Sequence, residues 1–294
     1  MKTMKMASAL LLVMAMTAGI KTNAQTAQGE QMTVPLSEPG KPYKLNVSLL
    51  NGTIKIVGYE GKDIVIDATP GSKRERGSRE DGPDVNVNMN VNLNGNKESN
   101  GMRKISGAGH GMDISAEEKN NKVTVHSNSW SKAITLTIKV PSSGAKLNLG
   151  STNGGDITVN NVNGEMEITN TNGGIILTNV SGSAVANTVN GVMIASFKSV
   201  DAKAPMAFTT LNGKVDVSFP ADIKINVKAQ SERGEVYSDF DVEVDKTAPK
   251  VNRTTEKGMF RLNIEDWVRG KINGGGPEVL MKTMNGNIYI RKSK

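Results

Sequence analysis

The chain has 294 residues, a formal net charge of +7 and no cysteine, which excludes disulfides, thiolate catalysis, Cys-ligated zinc, iron–sulfur clusters and a lipid-modified N-terminal Cys. Aromatic residues are only 4% of the sequence, too few for an aromatic-rich enzyme core or a conventional carbohydrate cleft. Against them stand 31 Gly and 30 Asn, residues that tolerate left-handed backbone, and this composition predicts a chain built from many turns.

The first element is an address. Lys2 and Lys5 precede an apolar run from Met6 to Ala18, and Thr22-Asn23-Ala24 offers a small-residue cleavage site before Gln25. This is the pattern of a secretory signal peptide over residues 1–24. Its removal deletes three Lys and no acid, so the remaining chain carries 33 basic and 29 acidic residues. No later apolar stretch is long enough to form a transmembrane helix. The residual charge is thinly spread without Arg/aromatic clusters, which argues against a nucleic-acid partner.

Residues 25–150 read as an irregular β region. Segments 45–49, 64–68, 123–127 and 134–140 alternate or run apolar, and Pro141 closes the last. Between them, residues 70–122 are expected to leave the main fold as a protruding hairpin or flap. The stretch from Lys73 to Pro83 is a mixed-charge loop, and Val85 to Asn94 alternates strictly with Asn on one face. That face reads either as a solvated edge or as an Asn ladder or docking edge for a partner strand.

Residues 151–294 form a repetitive region, expected to be continuous with the part before it. The unit is Asn-Gly, a spacer, then two apolar positions separated by one residue. It occurs at Asn163-Gly164, Asn172-Gly173, Asn190-Gly191, Asn212-Gly213 and Asn285-Gly286, and earlier at Asn51-Gly52. The alternation is that of a half-buried strand, and Asn-Gly suits a turn with positive φ. Asn153-Gly154-Gly155 has one extra residue, which a glycine bulge would absorb. Asn-Gly between alternating strands is also a hairpin signal, so an antiparallel meander competes. A second periodicity opposes it: Thr shortly before Asn-Gly recurs at 152, 171, 188, 210 and 283, while the intervening corners read Asn161-Val162-Asn163-Gly164 and Asn179-Val180-Ser181-Gly182. Two alternating corner types predict coils with two strand-plus-corner arms, Thr stacked over Thr and Asn over Asn. The fold class is therefore all-β, a β-solenoid or β-helix-like stack of short strands with Asn-Gly corners. After Pro249, residues 258–264 restore alternation, and Glu265-Asp266-Trp267 is expected to cover a hydrophobic end.

The ending from Gly274-Gly275-Gly276-Pro277 through Thr283-Met284-Asn285-Gly286 to Lys292, together with the repeats of 152–213, resembles the bacterial putative-adhesin family of exported β-strand-repeat proteins. The likeness spans roughly residues 40–292. It implies a right-handed β-solenoid-like fold, export to the cell envelope and no established catalytic activity. Residues 70–122 depart from the simpler family pattern.

Catalysis finds little support in the residues. Glu165 and Glu167 share one strand face and could form an acidic pair, with Asp156, Asp216 and Glu235 also near turns. A solvated face explains them equally well. His110 and His126 have no nucleophile elbow or metal-spaced partner. Gly154-Gly155-Asp156 resembles one turn of a calcium-binding nonapeptide repeat, but the equivalent corners carry Glu165, Gly174, Val192 and Lys214, which leaves room for one weak ion and not a ladder. No catalytic, cofactor or metal residue is assigned. The expected function is a non-catalytic exported module of the periplasm or cell surface, binding an unknown envelope protein or glycan. The alternatives are a periplasmic regulatory or structural partner of another envelope protein, and, less favoured, a β-helix carbohydrate-active enzyme.

Overall fold

The computed structural model describes residues 30–71, 113–127, 132–245, 250–256, 259–265 and 267–293; for residue 30 and the strands within 250–265 only the backbone is described. The expected signal peptide and the Asn-alternating segment 85–94 lie outside these residues, as do 72–112 of the expected excursion.

Each repeat of the Asn-Gly-x-apolar-x-apolar pattern forms a strand with its apolar residues inward, and the strands pair in parallel. The first arm of the stack runs, in spatial order, through 122–127, 43–51, 145–153, 163–172, 181–190, 206–212, 278–285 and 225–231. The second arm runs through 134–141, 52–59, 157–160, 175–178, 193–200, 215–219, 288–292 and 236–238. Strands Tyr43–Tyr59 and Ile175–Asn190 pass through a corner unbroken and serve both arms. The chain is thus an all-β, solenoid-like stack of two-armed coils. A meander would have paired neighbouring strands antiparallel.

Parallel register places like positions over one another. On the first arm Leu147, Met166, Ala184 and Met206 form one inward file; on the second, Ile157, Ile175, Met193 and Val215 form another. All belong to one continuous buried cluster. Burying an Ile or Leu contributes about 1.5–3 kcal/mol, so the stack is held chiefly by these files. Phe197, Phe208 and Phe219 are buried together between the arms, with Phe197 stacked on Phe219 at 5.6 Å between centroids and edge-on to Phe208 at 6.0 Å.

The order of the stack is not the order of the chain. Coil 43–59 lies between strands 122–141 and coil 145–160, and coil 278–292 lies between 206–219 and 225–238. Antiparallel strands finish both ends. Ile114–Lys119 covers Lys122–Ser127, while Ile64–Pro70 and then Glu30–Val34 cover Ile134–Pro141. At the other end Val268–Ile272 and then Glu243–Val244 extend Ile225–Ser231. Lys250–Glu256 and Met259–Glu265 make a separate hairpin.

Two sequence expectations change. The flanks of the supposed excursion, up to Pro70 and from Ile114, belong to the main sheet. Trp267 lies beside Lys228 and Lys282, at 4.7 and 5.6 Å from the two ammonium groups, on the outer side of the first arm. Phe240 and Ile272 are among the apolar residues buried near the last coil.

Candidate functional site: corners and outer faces

The corners explain the recurrent sequence motif. At five successive passages from first to second arm, a glycine sits against the carbonyl of the corresponding glycine one coil below. A Cβ on Gly155, Gly173, Gly191, Gly213 or Gly286 would lie 2.1–2.2 Å from the carbonyl oxygen of Gly52, Gly155, Gly173, Gly191 or Gly213 respectively. The same carbonyls accept side-chain hydrogen bonds from the residue that opens each corner: Ser151 to Gly52 (3.0 Å), Asn170 to Gly155 (2.8 Å), Thr188 to Gly173 (2.8 Å), Thr210 to Gly191 (2.9 Å) and Thr283 to Gly213 (2.9 Å). A missing Cβ and a buried donor therefore form one cradle for a carbonyl that would otherwise be buried unpaired. This corrects two expectations. The glycines at 155, 173 and 191 serve close approach, not positive φ. The residues stacked with Thr188 and Thr210 are Ser151 and Asn170, one position before the expected Thr152 and Thr171.

Beside this buried file runs an exposed asparagine ladder. Asn285 donates to Asn212 (2.6 Å), Asn212 to Asn190 (2.7 Å), Asn190 to Asn172 (2.9 Å) and Asn172 to Asn153 (3.4 Å). The Arg233 guanidinium reaches the Asn285 carbonyl end at 3.5 Å. The return corners differ: Asn161 and Asn179 adopt left-handed φ of 55° and 54°, with Val162 and Val180 buried behind them.

The outer faces are flat sheets with side chains in files. On the first arm, Lys119, Lys122, Lys44 and Lys146 lie opposite one another on four successive strands, followed by Glu165 and Ser183. The adjoining file reads Glu117, Thr124, Asn46, Asn148, Glu167 and Val185. Glu165 and Glu167 are brought to one face as expected, and each has a partner: Glu165 bonds Lys146 at 2.7 Å, and Asn148 donates to Glu167 at 3.4 Å. The side chains of Lys146 and Glu165 are 59% and 67% exposed, so solvent screens this ion pair and it adds little to stability. A shallow groove passes beside Lys44, Lys146, Glu165, Glu167 and Ser183.

On the second arm Asp216 is held by Arg291 at 2.7 Å and Lys214 at 3.2 Å. Burial pushes its carboxyl upward, but hydrogen bonding and charge from Arg291 and Lys214 outweigh that and hold it below the usual carboxylate range. Tyr289 and Tyr237 stack nearby at 5.3 Å, with Arg291 over Tyr289 at 4.8 Å. The remaining sequence candidates are dispersed. Asp156 accepts from the Gly174 amide at 2.7 Å and so fixes a corner. Glu235 is exposed at the last coil, and His126 is exposed on Lys122–Ser127 near the first end. His110 lies outside the described residues. Among the described residues no three His, Asp or Glu side chains converge as metal ligands, and no helix is long and apolar enough to cross a membrane. Sequence reasoning missed the lysine file, because pairing joins Lys44 and Lys146 to Lys119 and Lys122 from distant segments of the chain.

A repetitive all-β stack with open, file-patterned faces defines the structural class. Residues 146–291 match the family described as Toastrack DUF4097. Among solved structures, the chain is similar to a putative cell adhesion protein from Clostridium sporogenes, with 12% identity and a TM-score of 0.40 over 90% of this chain and 100% of that one. It is also similar to a putative adhesin from Bacteroides fragilis, with 10% identity and a TM-score of 0.26 over 91% of this chain and 98% of that one. No curated protein matches the chain.

Proposed function

We propose that the protein is an exported, non-catalytic module of the cell envelope that binds through the outer faces of its solenoid. The signal-peptide pattern of residues 1–24 supports export. The observation that carries the binding reading is the geometry of the faces: side chains repeat in files at the roughly 4.8 Å strand spacing, so weak contacts to an extended ligand add over several coils. The acidic pair supports binding over turnover. Glu165 is engaged by Lys146 and Glu167 by Asn148 on an open surface.

The test is cosedimentation of the purified protein with envelope fractions, with soluble sugar and peptide products assayed in parallel. Retention without product release is expected. Release of product that disappears in the Glu165→Ala/Glu167→Ala double variant would make the pair an active site and end the non-catalytic reading.

A further inference from the structure

We propose that the lysine file on the first arm is a binding line for an anionic glycan lying along the axis of the stack. This rests on the reading of the protein as a binding module and names the chemistry of one of its ligands. Lys119, Lys122, Lys44 and Lys146 come from four different strands, and pairing sets them directly opposite one another. Three strand spacings separate the first from the last, roughly 14 Å. Like charges directly opposite on neighbouring strands are destabilising. Of the four, Lys146 has a carboxylate partner, Glu165, which also ends the file. The lysines at the far end of the same arm are arranged differently: Lys228 and Lys282 are placed against the ring of Trp267.

The neighbouring groups select the ligand class. The adjoining file presents the Thr124 hydroxyl and the Asn148 carboxamide, which suit sugar hydroxyls, while the Asn46 carboxamide oxygen between them is buried. Apolar side chains that would enter a lipid surface are absent from both files between Lys119 and Lys146; the exposed Leu50 stands six residues along the strand, at the opposite corner. Ammonium groups act as point charges without a planar fork, so charge spacing along a polymer governs the fit more than the geometry of a single anion. Glu117 and Glu167 bound the neutral stretch of the adjoining file.

The test compares polygalacturonate, neutral dextran and phosphatidylglycerol vesicles by calorimetry at several salt concentrations. Polygalacturonate should bind with affinity that falls steeply as salt rises, while dextran should not bind. Lys119→Glu/Lys122→Glu, both at exposed positions, should weaken polygalacturonate binding more than tenfold with an unchanged melting curve. Glu165→Lys, which lengthens the file by one charge, should strengthen binding and steepen its salt dependence. No polygalacturonate binding, unchanged affinity in the double variant, equal binding of dextran, or preference for vesicles would each overturn the proposal. Envelope retention that persists in Lys119→Glu/Lys122→Glu would leave the binding reading standing while this site falls.

Discussion

At the five corners that share the cradle a side-chain donor, a hydroxyl at all but Asn170, and a glycine act on the same carbonyl, so single atoms there have measurable weight. Thr210→Val keeps the shape but removes the donor to the Gly191 carbonyl; urea unfolding should show a loss of about 1–3 kcal/mol. Asn170 is the odd member of the file. Its amide donates to both Gly155 and Gly174, but its carbonyl oxygen is buried with no partner. Gly174 also accepts from the Ile157 amide. Asn170→Thr, the residue used at 188, 210 and 283, therefore keeps the bond to Gly155 and relieves the orphan oxygen; it should leave stability unchanged or raise it by about 1 kcal/mol. Asp216 supplies the pH-dependent contribution on the second arm. Its folded-state pKa is lowered, so its stabilisation is complete above the unfolded value of about 3.9 and is lost as pH falls through the lower folded value. In acid titrations of the melting temperature, Asp216→Asn should flatten the profile below about pH 4. Much at this scale was legible: Asn over Asn and the inward Ile and Val follow from simple spacing. The cradle was not, because Ser151 and Asn170 replace Thr while Thr152 and Thr171 stand one residue later and draw the eye. In each of these corners the donor stands two residues before the ladder Asn, whereas Thr152 and Thr171 stand one residue before it.

A strand here is a two-faced element, and its faces should respond differently to the same kind of change. Ile168→Asp or Val217→Asp buries an unpaired carboxylate in the core and should prevent folding or cost several kcal/mol, whereas Glu167→Lys on the outer face should alter the urea midpoint little. The corners allow a finer contrast between two glycines. Gly191→Ala drives a methyl to within 2.1 Å of the Gly173 carbonyl and must pry coils apart, so a loss above about 3 kcal/mol is expected. Gly154 has φ of 85° and open space around its missing side chain; Gly154→Ala should cost only the left-handed backbone penalty, about 1–2 kcal/mol. Strand positions were readable from alternation because one face is buried throughout, and the two corner types correctly favoured coils over hairpins. The antiparallel strands that finish each end were not, because Ile114–Lys119 and Val268–Ile272 alternate no differently from parallel strands; direction is decided by where the chain returns.

The molecule as a whole is ordered by pairing and not by sequence, since a coil from near each end of the described chain sits inside the stack. A periodic sequence reveals repeating units but not the sequence in which they are laid down, so this interleaving could not be read from the repeats. Deleting residues 278–294 should consequently do more than remove a tail. Strands Ile225–Ser231 and Val236–Ser238 would lose their parallel partners, and limited proteolysis read by mass spectrometry should show new cleavage across 220–245 while 145–200 stays protected. In a chain that folds as it is made, the coil at 225–238 emerges before the one that must lie beneath it. At ordinary synthesis rates it waits about 3–10 s for residue 292 to be added. During that interval the coil at 206–219 presents an open parallel edge, which closes only when the coil at 278–292 is added beside it.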